Sequence, residues 1–159
     1  MDISPKSIPP LARFITGDID QTPYLTGTKL IDLFNQFGFC DNYDTDFPSR
    51  WKYVEEKLEI INNTDHLSSV LEYLLDGRYF LDKEQNLETA VNYLNNIIKY
   101  DGYQAESDGL IYKIVSIDPD KNSNVQKIKK TKGKGGRPRE PETEEKKKRL
   151  RKDYYRLTR

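Results

Sequence analysis

The sequence predicts a mainly α-helical protein: a compact bundle of four or five helices closed by a C-terminal β-hairpin, followed by a disordered basic linker and a charged C-terminal helix. Three observations carry that reading. Apolar residues recur at helical spacing in four segments between residues 28 and 98. The period then changes to a β-prone stretch on both sides of Asp108-Gly109. The formal net charge of zero also conceals a partition, since residues 1–120 hold 10 Lys/Arg against 21 Asp/Glu and residues 121–159 hold 16 against 5. A body of net −11 and a tail of net +11 read as two units with different tasks.

The elements follow in order. Prolines at 5, 9 and 10 make a first helix short at best, with Leu11, Phe14 and Ile15 packing onto the body. From Thr28 to Phe37, Leu30, Ile31, Leu33, Phe34 and Phe37 keep helical spacing, and Gly38 supplies the stop. The segment CDNYDTDFP is turn-forming. Ser49 then caps a helix to about Asn62, with Trp51, Val54, Leu58 and Ile61 on one face and Lys52, Glu55, Glu56 and Glu59 on the charged one. Asp65 caps the next, whose stripe of Leu67, Val70, Leu71, Leu74 and Leu75 ends at Gly77. Leu87, Ala90, Val91, Leu94 and Ile98 mark a further helix, closed by Tyr100-Asp101-Gly102. YQAESDGLIYKIVSI reads as a hairpin with Asp108 and Gly109 as its two central turn residues, both at positive φ.

Domain boundaries fall at composition shifts: an acidic helical domain over 1–118, a basic Gly/Pro linker over 119–141, and a basic amphipathic helix over 142–159. The linker has almost no large apolar side chain and crowds Gly133, Gly135, Gly136 and Pro138 together, so disorder in the unbound state is expected. In the final segment Glu142, Glu144 and Glu145 occupy the first turn and the cations follow, an order that complements the helix dipole. Leu150, Tyr154 and Leu157 fall on one face of it, a candidate partner contact.

Several chemistries lack their residues. Cys40 and His66 are the only cysteine and the only histidine, so Cys/His zinc clusters cannot be assembled from this chain. Asp41, Asp44 and Asp46 lack the spacing and terminal Glu of an EF-hand and read as a solvated loop. There is no GxxxxGK[ST] phosphate loop and no GxSxG nucleophile turn. The expectation is a protein that is not an enzyme, with no catalytic residues, no cofactor and no metal. No apolar run approaches ~20 residues and no charged-then-apolar leader follows Met1, so the expected location is cytoplasmic, with no membrane partner.

The tail matches a physical task. KKTKGKGGRPRE interleaves Lys132, Lys134, Arg137 and Arg139 with glycines around Gly136-Arg137-Pro138, which resembles the minor-groove insert called an AT-hook. A narrow A/T groove has enhanced negative potential, Pro138 keeps the backbone extended, and the two arginines lie along its floor. Glu140 interrupts the basic flank on that side. Further on, Lys146, Lys147, Lys148, Arg149, Arg151 and Lys152 place six cations in seven positions, a charge density suited to phosphate backbones. The expected partner is nucleic acid, DNA ahead of RNA. The alternative is that the tail grips an acidic protein surface, that of the body included. The helix before the hairpin holds only Lys99 as a cation and the hairpin region adds Asp101, Glu106 and Asp108, a surface that repels phosphate. Phe47, Trp51, Tyr53, Tyr100, Tyr103 and Tyr112 accordingly read as core and hairpin packing rather than a base-stacking platform.

The stretches ISPKSI, LTGTKLIDLFNQFGFCDNYDTDFPSRWKYVEEKLEIINNT and LNNIIKYDGYQAESDG resemble the N-terminal domain of AbiJ-type bacterial abortive-infection (phage-defence) proteins. The resemblance covers most of residues 3–115 and is concentrated in FPSRWKYVEEKL. It implies a mainly helical module that accompanies a separate effector domain, with no established catalytic residues. After residue 118 the basic segment stands in place of the RNase-like HEPN effector of that family. Expected partners therefore extend to a protein or an effector domain, the chain serving as a defence sensor or as an inhibitor of a defence complex. Arg50, beside Trp51 at a helix start, is a candidate anion or partner contact, the structural reading being a buried Trp51 with Arg50 paired to an acid.

Overall fold

The four segments of helical periodicity fold as helices, and a fifth precedes them. The computed structural model describes residues 1–118. Among them are α1 (Ile8–Thr16), α2 (Gly27–Asn35), α3 (Arg50–Ile61), α4 (Asp65–Leu74) and α5 (Leu87–Ile98), then the antiparallel pair β1 (Tyr103–Asp108) and β2 (Ile111–Ser116). Short 3-10 turns precede α1, follow α4 and follow α5, at Pro5–Ser7, Gly77–Phe80 and Lys99–Asp101. The expected linker over 119–141 and helix over 142–159 lie outside the described residues.

Sequence chemistry explains most boundaries, the start of α3 excepted, where Ser49 holds the cap position without a side-chain hydrogen bond. Pro9 and Pro10 open α1 rather than forbid it, because the first-turn N–H groups they lack have no intrahelical acceptor. The helix ends at Gly17, whose φ of 69° is left-handed and whose Cβ, if it had one, would lie 2.3 Å from the Pro23 carbonyl oxygen. Thr26 caps α2 with its hydroxyl, and Gly38, at φ 97°, closes the turn beyond it. The cap of α4 is Thr64, not Asp65: the Thr64 hydroxyl accepts from His66 N at 3.2 Å, and Asp65 sits in the first turn where its charge suits the dipole. Asn86 caps α5 by accepting from Glu88 N and Thr89 N.

Two expectations fail in informative ways. Trp51 is 43% exposed, and the buried arc of α3 is Tyr53, Val54, Leu58 and Ile61. The loop carrying Phe39, Asp41 and Phe47 covers the Tyr53 side of the helix and rotates the buried arc away from the indole. The hairpin turn is also one residue later than expected. Asp108 pairs with Ile111, so the central residues are Gly109 and Leu110, and of these only Gly109 has positive φ. A turn with glycine at its first central position needs only that one left-handed residue.

The core runs through every helix. Leu11, Phe14 and Ile15 of α1, Leu30 and Phe34 of α2, Val54 and Leu58 of α3, Leu67 and Leu71 of α4, and Leu94 and Ile98 of α5 are all at most 1% exposed. Each such side chain contributes about 1.5–3 kcal/mol of burial free energy. The α1 helix lies against α3 and also meets α5, while β1 packs on α5 and β2 on α4.

Side-chain amides and carboxylates attach the periphery. The Asn62 amide, at the end of α3, donates to Ile3 O and accepts from Ile3 N, both at 2.9 Å. Asp2 N donates to the Tyr103 hydroxyl and Ser4 N to Asp101 Oδ1. The N-terminal segment is thereby tied both to α3 and to the turn entering β1. Asn95 does the same for the hairpin, accepting from Ala105 N at 2.6 Å and donating to Ala105 O at 3.3 Å. Glu72 accepts from Ile114 N at 2.9 Å. Both strands of this ribbon thus have an edge group paired, which an isolated two-stranded sheet lacks.

Candidate functional site

Arg50 is the one expected site residue within the described region. It is the first residue of α3, and its side chain is only 22% exposed. Nη1 donates to Thr16 O at 3.0 Å and to Leu25 O at 2.6 Å, Nη2 pairs with Asp18 Oδ1, and the guanidinium carbon lies 3.9 Å from the centre of the Tyr24 ring. Asp18 also accepts from the Thr16 hydroxyl at 2.8 Å. Arg50 therefore closes the C-terminal end of α1, the residue before the α2 cap and the start of α3 into one knot. Its acid is Asp18, 32 positions away in sequence. An external anion there must displace the Asp18 carboxylate, so the chemistry this arrangement performs inside the domain is cross-linking. Trp51, beside it, is a surface side chain with the Lys52 ammonium 5.6 Å from its ring centre.

A second cluster surrounds Asp41. Its Oδ2 accepts from the Tyr53 hydroxyl at 2.8 Å and from Lys57 Nζ at 2.6 Å. The Asn35 amide brackets the same residue, donating to Asp41 O and accepting from Asp41 N. The Lys57 ammonium beside Asp41 holds its carboxyl below the ordinary carboxylate range, against the opposing effect of burial. Burial, and then the neighbouring Asp41 carboxylate, push the Tyr53 phenol upward. Of the acidic loop only Asp41 is so engaged, while Asp44 accepts from Asp46 N in a local turn. Among the described residues, no group of three His, Cys, Asp or Glu side chains stands close enough to hold a metal ion, and no helix is long and apolar enough to cross a membrane.

Electrostatics sets the remaining surface. Residues 1–118 carry ten Lys/Arg and twenty Asp/Glu. Ion pairs engage Arg50 with Asp18, Lys57 with Asp41, Arg78 with Asp76 and Lys113 with Asp108. Arg78 holds the Asp76 carboxyl down to about 2, and Lys113 lowers that of Asp108. What is left is a strongly acidic exterior without a basic stripe among the described residues.

No protein-family model matches the chain, no curated protein matches it, and no solved structure matches it. Its function has to be read from the fold, the charge distribution and the side-chain chemistry of the chain itself.

Of the other expected site residues, Lys132, Lys134, Arg137, Arg139, Lys146, Lys147, Lys148, Arg149, Leu150, Arg151, Lys152, Tyr154 and Leu157 lie outside the described residues. The aromatics divide. Tyr53 is core and Phe47, Tyr103 and Tyr112 are partly buried, but Tyr100 is 82% exposed and is not packing material. Helical periodicity does carry a signal for this: Tyr100 follows Ile98, the last residue of the apolar stripe, by two positions and so leaves the seam.

Proposed function

We propose that this is a non-enzymatic two-part protein in which the cationic segment 121–159 binds nucleic acid, DNA in preference to RNA, and the acidic helical domain makes protein contacts. The observation that carries the reading is the charge partition: 16 Lys/Arg against 5 Asp/Glu lie in the last 39 residues, after a domain of opposite sign. A polyanion held by the tail is repelled by the domain, which leaves the domain free for other partners. The cations that act are Lys132, Lys134, Arg137 and Arg139 of the AT-hook-like core and the cluster from Lys146 to Lys152. The resemblance of residues 3–115 to the AbiJ N-terminal domain supports a role in phage defence or a mobile element, in the cytoplasm.

The test is binding of the full chain and of a chain lacking residues 121–159 to labelled duplex DNA, single-stranded DNA and RNA at low salt. Binding by the full chain alone is expected, with duplex DNA tightest. Equal affinity of the two chains sinks the reading. A second reading is favoured by Glu140, which breaks the basic flank of the Gly136-Arg137-Pro138 core: the tail grips an acidic protein surface. A stoichiometric protein complex that survives nuclease treatment and dissociates on removal of residues 121–159 is its signature.

A further inference from the structure

We propose that the outward face of the β1–β2 ribbon is a docking site for the chain's own segment 121–128, held there by Val125 and Ile128. The two strands differ in a way that calls for a cover. In β1 the alternation is clean: Tyr103 and Ala105 face the domain, and Gln104, Glu106 and Asp108 face out. In β2 both faces are apolar. Tyr112 and Ile114 pack against the core, Ile111 and Val115 point the other way, and Ile117 continues their row just beyond the strand. An antiparallel ribbon with one face in water carries polar residues on that face, whereas strands covered on both faces read apolar throughout. Yet Ile111 and Ile117 are 52% and 48% exposed, and among the described residues neither they nor Val115 packs against the core.

Geometry decides what covers the row. Asn95 takes one edge of the ribbon at Ala105 and Glu72 takes the other at Ile114, so an added strand is obstructed on both sides and the outward face is what stays open. Six residue pairs make that face about 20 Å by about 10 Å, or about 200 Å². A standard stable interface takes about 800 Å² from each partner, so this face does not hold a second copy, while a tethered segment needs far less area because its effective concentration is high.

The chain passes beyond the described residues at this same face. Ile117 N donates to Gly102 O at 2.9 Å, and Asp118 follows. Between Asp118 and Leu150 the only large apolar side chains are Val125 and Ile128, and the intervening Pro119, Asp120, Asn122, Ser123 and Asn124 are turn-forming, which lets the chain reverse over its own exit. Charge agrees. Glu106 on the outward face contacts Gln104 and has no ion-pair partner among the described residues, and the segment brings Lys121 and Lys127. Docking anchors the root of the cationic segment and leaves the cations from Lys132 onward available.

The experiment is methyl NOE spectroscopy on the isotope-labelled full chain, at two protein concentrations and in an isotope-filtered mixture of labelled and unlabelled copies, with trypsin digestion in parallel. Expected are NOEs from Val125 and Ile128 to Ile111, Val115 and Ile117 that do not depend on concentration and do not cross between copies. The double variant Val125→Ser with Ile128→Ser should lose them, shift amides only along the outward row and at Glu106, and be cut after Lys127 about tenfold faster than the wild type. Neither substitution touches a core side chain, so the helical domain stays folded in the comparison. The assignment is overturned by absence of these NOEs, by equal cleavage of the two chains, or by shifts spread through α1 to α5. NOEs that cross between copies overturn it in favour of a second copy as the cover. No nucleic acid enters the samples, so the result is separate from the binding role proposed for the tail.

Discussion

Arg50 shows how a residue that looks functional in sequence earns its place structurally. A cation beside an aromatic at a helix start fits an anion site, and nothing local says that the guanidinium instead reaches Thr16 and Leu25, two carbonyls from distant segments. Replacing it by alanine strands those carbonyls and the Asp18 carboxylate together. Arg50→Ala should cost about 2–3 kcal/mol in urea unfolding, and Arg50→Lys should recover less than half, because one ammonium cannot span three acceptors. Unchanged stability of Arg50→Ala would make the residue a partner contact again. Asp41 makes the complementary case. Its folded-state pKa lies below the unfolded value of 3.8, so the stability it adds is complete above that value and is lost as pH falls through the lower, folded one. Asp41→Asn should therefore destabilise by about 1–2 kcal/mol near pH 7, a modest figure because a third of the side chain stays in water. The gap from wild type should narrow progressively as pH falls below about 4. A gap that does not change with pH in acid refutes the ion-pair account.

At the scale of elements, what the sequence made legible was periodicity, and what it hid was attachment. The stripes of α2, α4 and α5 appear where apolar spacing places them, since burying that spacing is what stabilises a short helix. Boundaries moved by a residue or two, as with Thr64 for Asp65, because two adjacent residues can both cap and only geometry chooses. The buried arc of α3 was misjudged because its position depends on a loop, between Gly38 and Phe47, that has no period. Asn62, Asn95 and Glu72 were invisible for the same reason: they are polar residues in or just after helices, and their partners are backbone groups in other elements. Asn95 carries a prediction of its own. Asn95→Ala leaves the N–H and C=O of Ala105, a residue only 6% exposed, without these side-chain partners. That costs about 1–3 kcal/mol, and it falls on the hairpin alone. Hydrogen exchange should speed up about tenfold or more across β1 and β2 while α1 and α3 keep their protection. Uniform acceleration through the helices would mean that the hairpin is part of the global folding unit instead of docked on it.

For the whole molecule the deciding quantity is charge, and charge is the property read most directly from sequence. Composition alone separates an acidic domain from a basic segment, and the four ion pairs of the folded domain, each joining one cation to one acid, leave its net charge unchanged. Counterion release turns this into a number. If the ten cations named above, four in the Gly136-Arg137-Pro138 region and six from Lys146 to Lys152, each neutralise a phosphate of duplex DNA, the slope of log affinity against log salt is about −9. The acidic domain adds nothing to that slope, since it releases no ions from DNA it repels. Substituting Lys146, Lys147 and Lys148 together by glutamine removes three of the ten contacts and should bring the slope to about −6. Arg137→Ala with Arg139→Ala should instead erase any preference for A/T-rich over G/C-rich duplexes, because groove-floor arginines read shape while backbone lysines read only charge. A slope unmoved by the triple substitution would show that the lysine cluster does not touch phosphate, and would turn attention to an acidic protein surface as the ligand of the tail.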